Sequence, residues 1–203
     1  SENHSSNLGA FNMTQAASGI YAKSDLMIVV GSKLRGNETQ NYKMKLPPLV
    51  QIDAEDYQGV RNYEVKKFIH SDAKEALQKL LELLPKKLDI DKKFHKDIEQ
   101  ARSASESKLL DTLGPYSTIA MILKNTVYSG LHPWVRDVTI TNSTFGNRYV
   151  KIAEASLGVH AVGGGIGQGI SMGIGAAIAS PKSKAIVMIG DGGAMLGLAE
   201  MIT

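Results

Sequence analysis

Gly163-Gly164-Gly165-Ile166-Gly167-Gln168-Gly169 and, further on, Lys184-Ala185-Ile186-Val187-Met188-Ile189-Gly190-Asp191-Gly192-Gly193 are the stretches on which the reading of this chain turns. The second is a short apolar run that ends on a lone carboxylate flanked by glycines. In an open α/β sheet, ligands bind at the carboxyl ends of the strands, and bare backbone there lets a phosphate come close. On spacing alone, Asp191 reads equally well as a cap for the helix that follows and as a metal ligand. The glycines after it tilt the balance toward a ligand. Gly192 and Gly193 set unobstructed N–H donors at a helix start, where the macrodipole favours negative charge. A hard cation such as Mg²⁺ would bridge Asp191 to a diphosphate.

The glycine cluster fails the common nucleotide motifs. A dinucleotide fingerprint needs glycines at relative positions one, three and six. Counting from Gly163, Gly165 or Gly167, the sixth position is Gln168, Ile170 or Met172. No Gly-Lys-Ser or Gly-Lys-Thr occurs, so a P-loop is excluded. Gly169, Gly173 and Ala177 recur every four residues, which lets one helix approach a neighbour closely. That accounts for the helix and leaves Gly163 to Gly167 to be explained. Residues 161–179 carry no charge, but seven of those nineteen positions are glycine and Gln168 and Ser171 add polarity, so a packed helix is expected rather than a membrane span.

Outward from this region, apolar runs alternate with helical patterns. Residues 25–30, 49–52 and 68–70 are short continuous apolar runs that read as strands buried on both faces. Between them, residues 54–59 read as a turn or short helix. Asp72 with Glu75 signals a helix start, and Ala73, Ala76, Leu77, Leu80, Leu81 and Leu84 supply its apolar face. Residues 86–97 are dominated by charge and read as a solvated linker. A helix is expected over residues 97–112, broken at Gly114-Pro115, with Pro115 opening another that carries Ile119, Met121, Ile122 and Leu123. Residues 137–141 are β-branched enough for a strand leading into a hydroxyl-rich loop at Asn142-Ser143-Thr144-Phe145-Gly146. Residues 184–189 form the last strand, and residues 194–203 a helix with Met195, Leu198, Ala199 and Ile202 on its apolar face. The fold expected is α/β: two Rossmann-like units with largely parallel sheets, both incomplete and with exposed apolar edges. Their bounds are 1–85, a charged linker and helix over 86–114, and 115–203.

Composition narrows the function. The chain has 203 residues, 43% hydrophobic and 21% charged, with a formal net charge of +3. That is ordinary globular material for one or two compact units. The lysines cluster in one segment without interleaved aromatics, which argues against nucleic-acid binding. The absence of cysteine removes disulfides and thiolate chemistry and is compatible with a cytoplasmic location. The first residues carry neither an initiator methionine nor a secretory pattern, and the last helix has no closing residue, so the chain reads as a piece of a larger protein.

The pairing of the residue 164–177 stretch with residues 186–193 resembles the diphosphate-binding domain of thiamine diphosphate enzymes of the acetolactate synthase and benzoylformate decarboxylase group. Residues 24–34, 50–54 and 68–73 are similar to the second half of that family's central domain, so the resemblance covers nearly the whole chain. It implies that Asp191 is the first Mg²⁺ ligand and that Gly192, Gly193 and Ala194 donate to the diphosphate. Gly164, in the loop with Gly165, would accept from the aminopyrimidine through its carbonyl. Ile166 would be the apolar wedge that bends the cofactor. Ser143 and Thr144 match the family's hydroxyl-bearing diphosphate loop, though such hydroxyls equally cap their own backbone. His160 is the one candidate catalytic side chain, and a lone histidine is more often structural.

The implied activity is decarboxylation of 2-oxo acids, ligation of the product to a second carbonyl, or both, in a homodimer or homotetramer without nucleic acid or membrane. The alternative is a non-catalytic homologue or assembly subunit that keeps the fold as an interface. The family's remaining Mg²⁺ ligands and its activating glutamate find no match here, so this stretch alone is expected to be inactive and to bind the cofactor poorly. Residues 32–39 lack the Arg- and Asp-rich signature of members that carry FAD, which argues against a flavin.

Overall fold

A computed structural model describes residues 4–56, 62–88 and 90–202, apart from the Val162 side chain. The expected turn at Tyr57-Gln58-Gly59 lies outside the described residues. The chain divides into two compact units, one of Phe11–Ser105 and one of Ser1–Ala10 with Glu106–Thr203.

The first unit is built on three parallel strands, β1 (Met27–Val30), β2 (Leu49–Asp53) and β3 (Lys67–His70), in the order β1-β2-β3. Met27 lies opposite Leu49, and Val50 opposite Lys67. Only β2 is buried on both faces, because it is central. The expectation of two-sided burial fails at the edges, where Ile28 on β1 and Ile69 on β3 are exposed. Thr14 accepts from Ala17 N–H and so starts α1 (Gln15–Tyr21), which buries Ala17 and Ile20. Asp72 starts α2 (Ala73–Leu83) by accepting from Lys74 N–H at 2.8 Å and Glu75 N–H at 3.2 Å. None of its residues is fully buried.

The charged stretch is less of a linker than its composition implies. Asp91 accepts from Lys93 N–H at 2.8 Å and begins α3 (Lys92–Leu113) five residues ahead of the expected start. The division between units falls inside this helix. Within the first unit Ile98, Ala101 and Ser105 are buried, and Lys23 pairs with Asp97 at 2.5 Å.

The second unit also has three parallel strands, β4 (Trp134–Arg136), β5 (Gly158–His160) and β6 (Ile186–Met188), in the order β5-β4-β6. Gly114–Tyr116 forms a 3₁₀ turn with Pro115 near its start, and it leads into α4 (Ser117–Ser129). α4 buries Ala120 and Val127; of the expected apolar set Leu123 packs against the core, while Ile119, Met121 and Ile122 are exposed. The core joins Ala120, Val127, Trp134, Phe145, Tyr149 and Val150. The Trp134 indole N–H is satisfied by Gly146 O at 3.1 Å.

The strand expected over residues 137–141 is corrected. β4 ends at Arg136, and the chain turns into a π-helical turn over Asn142–Gly146. β-propensity loses there because Asp137 is fully buried and its side chain and carbonyl bind backbone and side-chain donors around it. The last helix is also reoriented. α5 (Gly169–Ala179) and α6 (Asp191–Gly197) approach closely, α6 turns Gly193 and Gly197 inward, and a 3₁₀ segment follows at Leu198–Ile202. Met195, Leu198, Ala199 and Ile202, the expected apolar face, are all exposed. Among the described residues no helix is long and apolar enough to cross a membrane.

Glu106 bridges two lysines in this unit, with Oε2 at 3.2 Å from Lys124 Nζ and Oε1 at 3.2 Å from Lys151 Nζ. Burial works to raise its carboxyl, but the charges and hydrogen bonds of Lys124 and Lys151 outweigh it and hold Glu106 below the usual glutamate range. A carboxyl depressed in the folded state adds stability above its unfolded value, about 4.3, and loses it as pH falls through the folded value. Glu106→Gln is therefore expected to cost about 1–3 kcal/mol at pH 7 and little in strong acid. Urea midpoints measured across pH for both proteins check this, and a gap that did not narrow in acid would refute it.

Candidate functional site

The carboxyl edge of the β5-β4-β6 sheet gathers the expected site segments. Arg136 is level with both His160 and Met188 in strand register, so residues 137, 161 and 189 leave the sheet side by side. The chain goes from β4 to β5 on one side and then returns through α5 to β6 on the other. The connections diverge on either side of β4, and such a switch point opens a crevice at the strand tips.

Asp137 organises that edge, and it is the residue that sequence reasoning missed. Its Oδ2 accepts from Gly167 N–H at 2.9 Å and Gly169 N–H at 3.2 Å, and its Oδ1 accepts from Val138 N–H at 2.7 Å. Asn142 Nδ2 donates to the Asp137 carbonyl at 2.8 Å. A buried carboxylate with several N–H donors is satisfied without a cation. Its signal in the sequence was a charge between the apolar Trp134-Val135 pair and a threonine-rich stretch, which was read as the start of a strand.

The glycine loop is shaped by backbone that only glycine adopts readily. Gly163, Gly164 and Gly167 have φ of +70°, +75° and +94°. A side chain at Gly167 would meet Leu196 Cβ at 3.0 Å, so this glycine seats the loop on α6. At Gly163, Gly164 and Gly192, by contrast, nothing lies within 4 Å of an added Cβ. These backbones face open space. Ile166 stands out from the loop, 60% exposed, with one face against Gly193. Gly165 is extended, and its carbonyl accepts from Gln168 Nε2 at 3.3 Å.

Gly190 occupies the cap position of α6, so Asp191 is the first helical residue rather than the cap. It is exposed, and its Oδ1 accepts from Gly192 N–H at 2.8 Å. Gly193 is buried against Asp137 and Ile166. The Ala194 N–H donates to Gly190 O at 2.8 Å, which commits it to the helix. Ser143 is exposed and Thr144 half-buried, and their hydroxyls donate to Thr139 O at 3.1 Å and Thr141 O at 2.8 Å, capping their own turn. His160 is exposed at the tip of β5, and Arg136 donates to Asn147 Oδ1.

Residues 1–80 match the model of the thiamine pyrophosphate enzyme central domain, and residues 139–203 match that of the thiamine pyrophosphate enzyme C-terminal TPP binding domain. Both are domains of thiamine pyrophosphate enzymes. No curated protein matches the chain. The second match covers the glycine loop, β6 and α6, so the open backbone at Gly163, Gly164 and Gly192 lies within a segment matched to a domain that binds thiamine diphosphate.

The donor set fits the two expected groups unequally. Open glycine backbone beside an exposed isoleucine suits a ligand with a phosphate end and a ring system. For Mg²⁺ there is one suitable hard donor, Asp191. Among the described residues no three His, Cys, Asp or Glu side chains gather closely enough to hold a metal ion.

Proposed function

We propose that the crevice between the glycine loop and the start of α6 binds thiamine diphosphate with Mg²⁺, in a protein of the acetolactate synthase-like kind that decarboxylates 2-oxo acids, ligates the product to a second carbonyl, or both. The observation that carries this reading is the open space in front of Gly163, Gly164 and Gly192 at a switch point, within the segment matched to a TPP binding domain. When bound, the cofactor supplies the electron sink that carboxylate loss from a 2-oxo acid needs.

The chain's own residues position and shield. Asp191 would hold Mg²⁺ through its carboxylate, which in the chain alone accepts from the Gly192 N–H. The N–H groups of Gly192 and Gly193 would donate to the diphosphate, Gly164 O would accept from the aminopyrimidine, Ile166 would give the cofactor apolar support, and the Ser143 and Thr144 hydroxyls would be further donors to the diphosphate. His160 is kept as the candidate side chain facing the reaction. The active assembly is a homodimer or homotetramer in the cytoplasm, and the composition of residues 32–39 argues against FAD in it.

Calorimetry of thiamine diphosphate binding with and without Mg²⁺ tests the reading, on the longer protein of which this stretch is read as a piece, as do the measurements that follow. Asp191→Asn is expected to weaken Mg²⁺-dependent binding tenfold or more, about 1.4 kcal/mol, because the charged ligand is lost while the shape is kept. Binding indifferent to Mg²⁺, or to this substitution, would remove Asp191 from the metal site. Release of CO₂ from pyruvate or an aryl 2-oxo acid distinguishes an enzyme from a non-catalytic relative.

A further inference from the structure

A cavity of about 240 Å³ in the second unit is lined by Lys124, Asn125, Tyr128, Ser129 and Lys151. Four of these lie on the last turns of α4, which leads to the amino end of β4, and Lys151 lies ahead of β5. The cavity is therefore separate from the strand-tip crevice.

Its chemistry is one-sided. Two lysines, an asparagine, a serine and a tyrosine line it, and no acidic residue does. Glu106 stands outside the lining and takes each ammonium on a different oxygen, at 3.2 Å in both cases. Lys124 Nζ also lies 4.1 Å from the centre of the Tyr149 ring. Both lysine side chains are about three-quarters buried, at 25% and 23% exposure. Two positive charges thus share one negative charge, and Glu106 is the one carboxylate paired with either lysine among the described residues. Each ammonium has three donors, and the contacts to Glu106 and Tyr149 leave some of them for a ligand. Isolated surface lysines gain little from an anion because water screens them. These two lysines are paired with Glu106 and partly desolvated, which strengthens their attraction for a second anion.

We propose that this cavity binds a small oxyanion, a phosphate or carboxylate group, between Lys124 and Lys151, with Ser129 and Asn125 donating at its mouth. It is a second anion site, remote from the diphosphate crevice, and it stands whether or not thiamine diphosphate binds there.

Titration of the chain with inorganic phosphate, against chloride at matched ionic strength, tests this by calorimetry and by the shift of ¹H–¹⁵N resonances. Phosphate is expected to shift the amides of residues 124–129 and 151, and chloride is not. Lys151→Gln should weaken phosphate binding at least tenfold. Ser129→Phe, at an exposed position, should block the mouth while leaving the Glu106 bridge intact, which keeps the test valid if loss of a lysine impairs folding. Pyruvate titrated in the same way distinguishes a carboxylate from a phosphate as the preferred group. Equal responses to phosphate and chloride would overturn the proposal, as would phosphate binding that survives both substitutions or shifts confined to residues 163–167 and 191–194.

Discussion

Asp137→Ala is expected to lower the unfolding free energy of the second unit by about 3–5 kcal/mol, since it strips a buried acceptor from several N–H donors at once. The carboxylate is fully buried and accepts from Val138, Gly167 and Gly169. Without it, the amides of Gly167 and Gly169 lose their partner in a place water enters poorly, and the loop that carries Gly163 and Gly164 loses its anchor. Asp137→Asn keeps one acceptor oxygen and turns an NH₂ toward the remaining donors, so its cost is expected to fall below that of alanine. Trp134 is the only tryptophan in the chain and is buried in the same unit, so its fluorescence during urea unfolding reports on this transition. A midpoint unchanged by Asp137→Ala would show that the glycine loop is held by other contacts.

Gly193→Ala is the second large effect. A methyl group there would sit 2.9 Å from Asp137 Oδ2, 3.3 Å from Ile189 Cγ1 and 3.4 Å from Ile166 Cγ2. Ile166 is exposed and can give way, but Asp137 is fully buried and held by several amides, so either α6 moves away from the sheet or Asp137 shifts from its amides. Overpacking of this kind costs about 1–3 kcal/mol. The neighbouring Gly192→Ala is the control, because its added methyl meets nothing within 4 Å. Gly192→Ala should leave the urea midpoint within about 0.5 kcal/mol of the parent, yet weaken thiamine diphosphate binding if a phosphate occupies the space in front of it. Equal midpoints for the two variants would contradict the close packing at Gly193. Full cofactor affinity in Gly192→Ala would place the diphosphate elsewhere.

The sequence carried the class of fold because it depends on short-range signals. Parallel strands between helices read directly as apolar runs at residues 27–30, 49–53 and 186–188, and Asp72 announced α2 through a local cap. The glycines at residues 163–167 flagged positive φ and close approach, both properties of the local backbone. Two parallel sheets, and the matches to two domains of thiamine pyrophosphate enzymes, agree with that reading.

Tertiary structure decided what depended on partners distant in sequence. Residues 137–141 have strand-like composition, but hydrogen bonds from residues thirty positions away fix Asp137 as an acceptor and end the strand at Arg136. The inward face of α6 could not be read from hydrophobicity. Gly193 sits against Asp137, Ile189 and Ile166, and Gly197 against Ile170 of α5, so these two go inside while Met195 goes out, as does Ile202 in the segment that follows. The pairing of Glu106 with Lys124 and Lys151 is likewise invisible to periodicity, because it joins three segments that only the folded unit brings together. Local propensity names the elements, while packing distance and the need to satisfy buried polar groups decide which face each one presents.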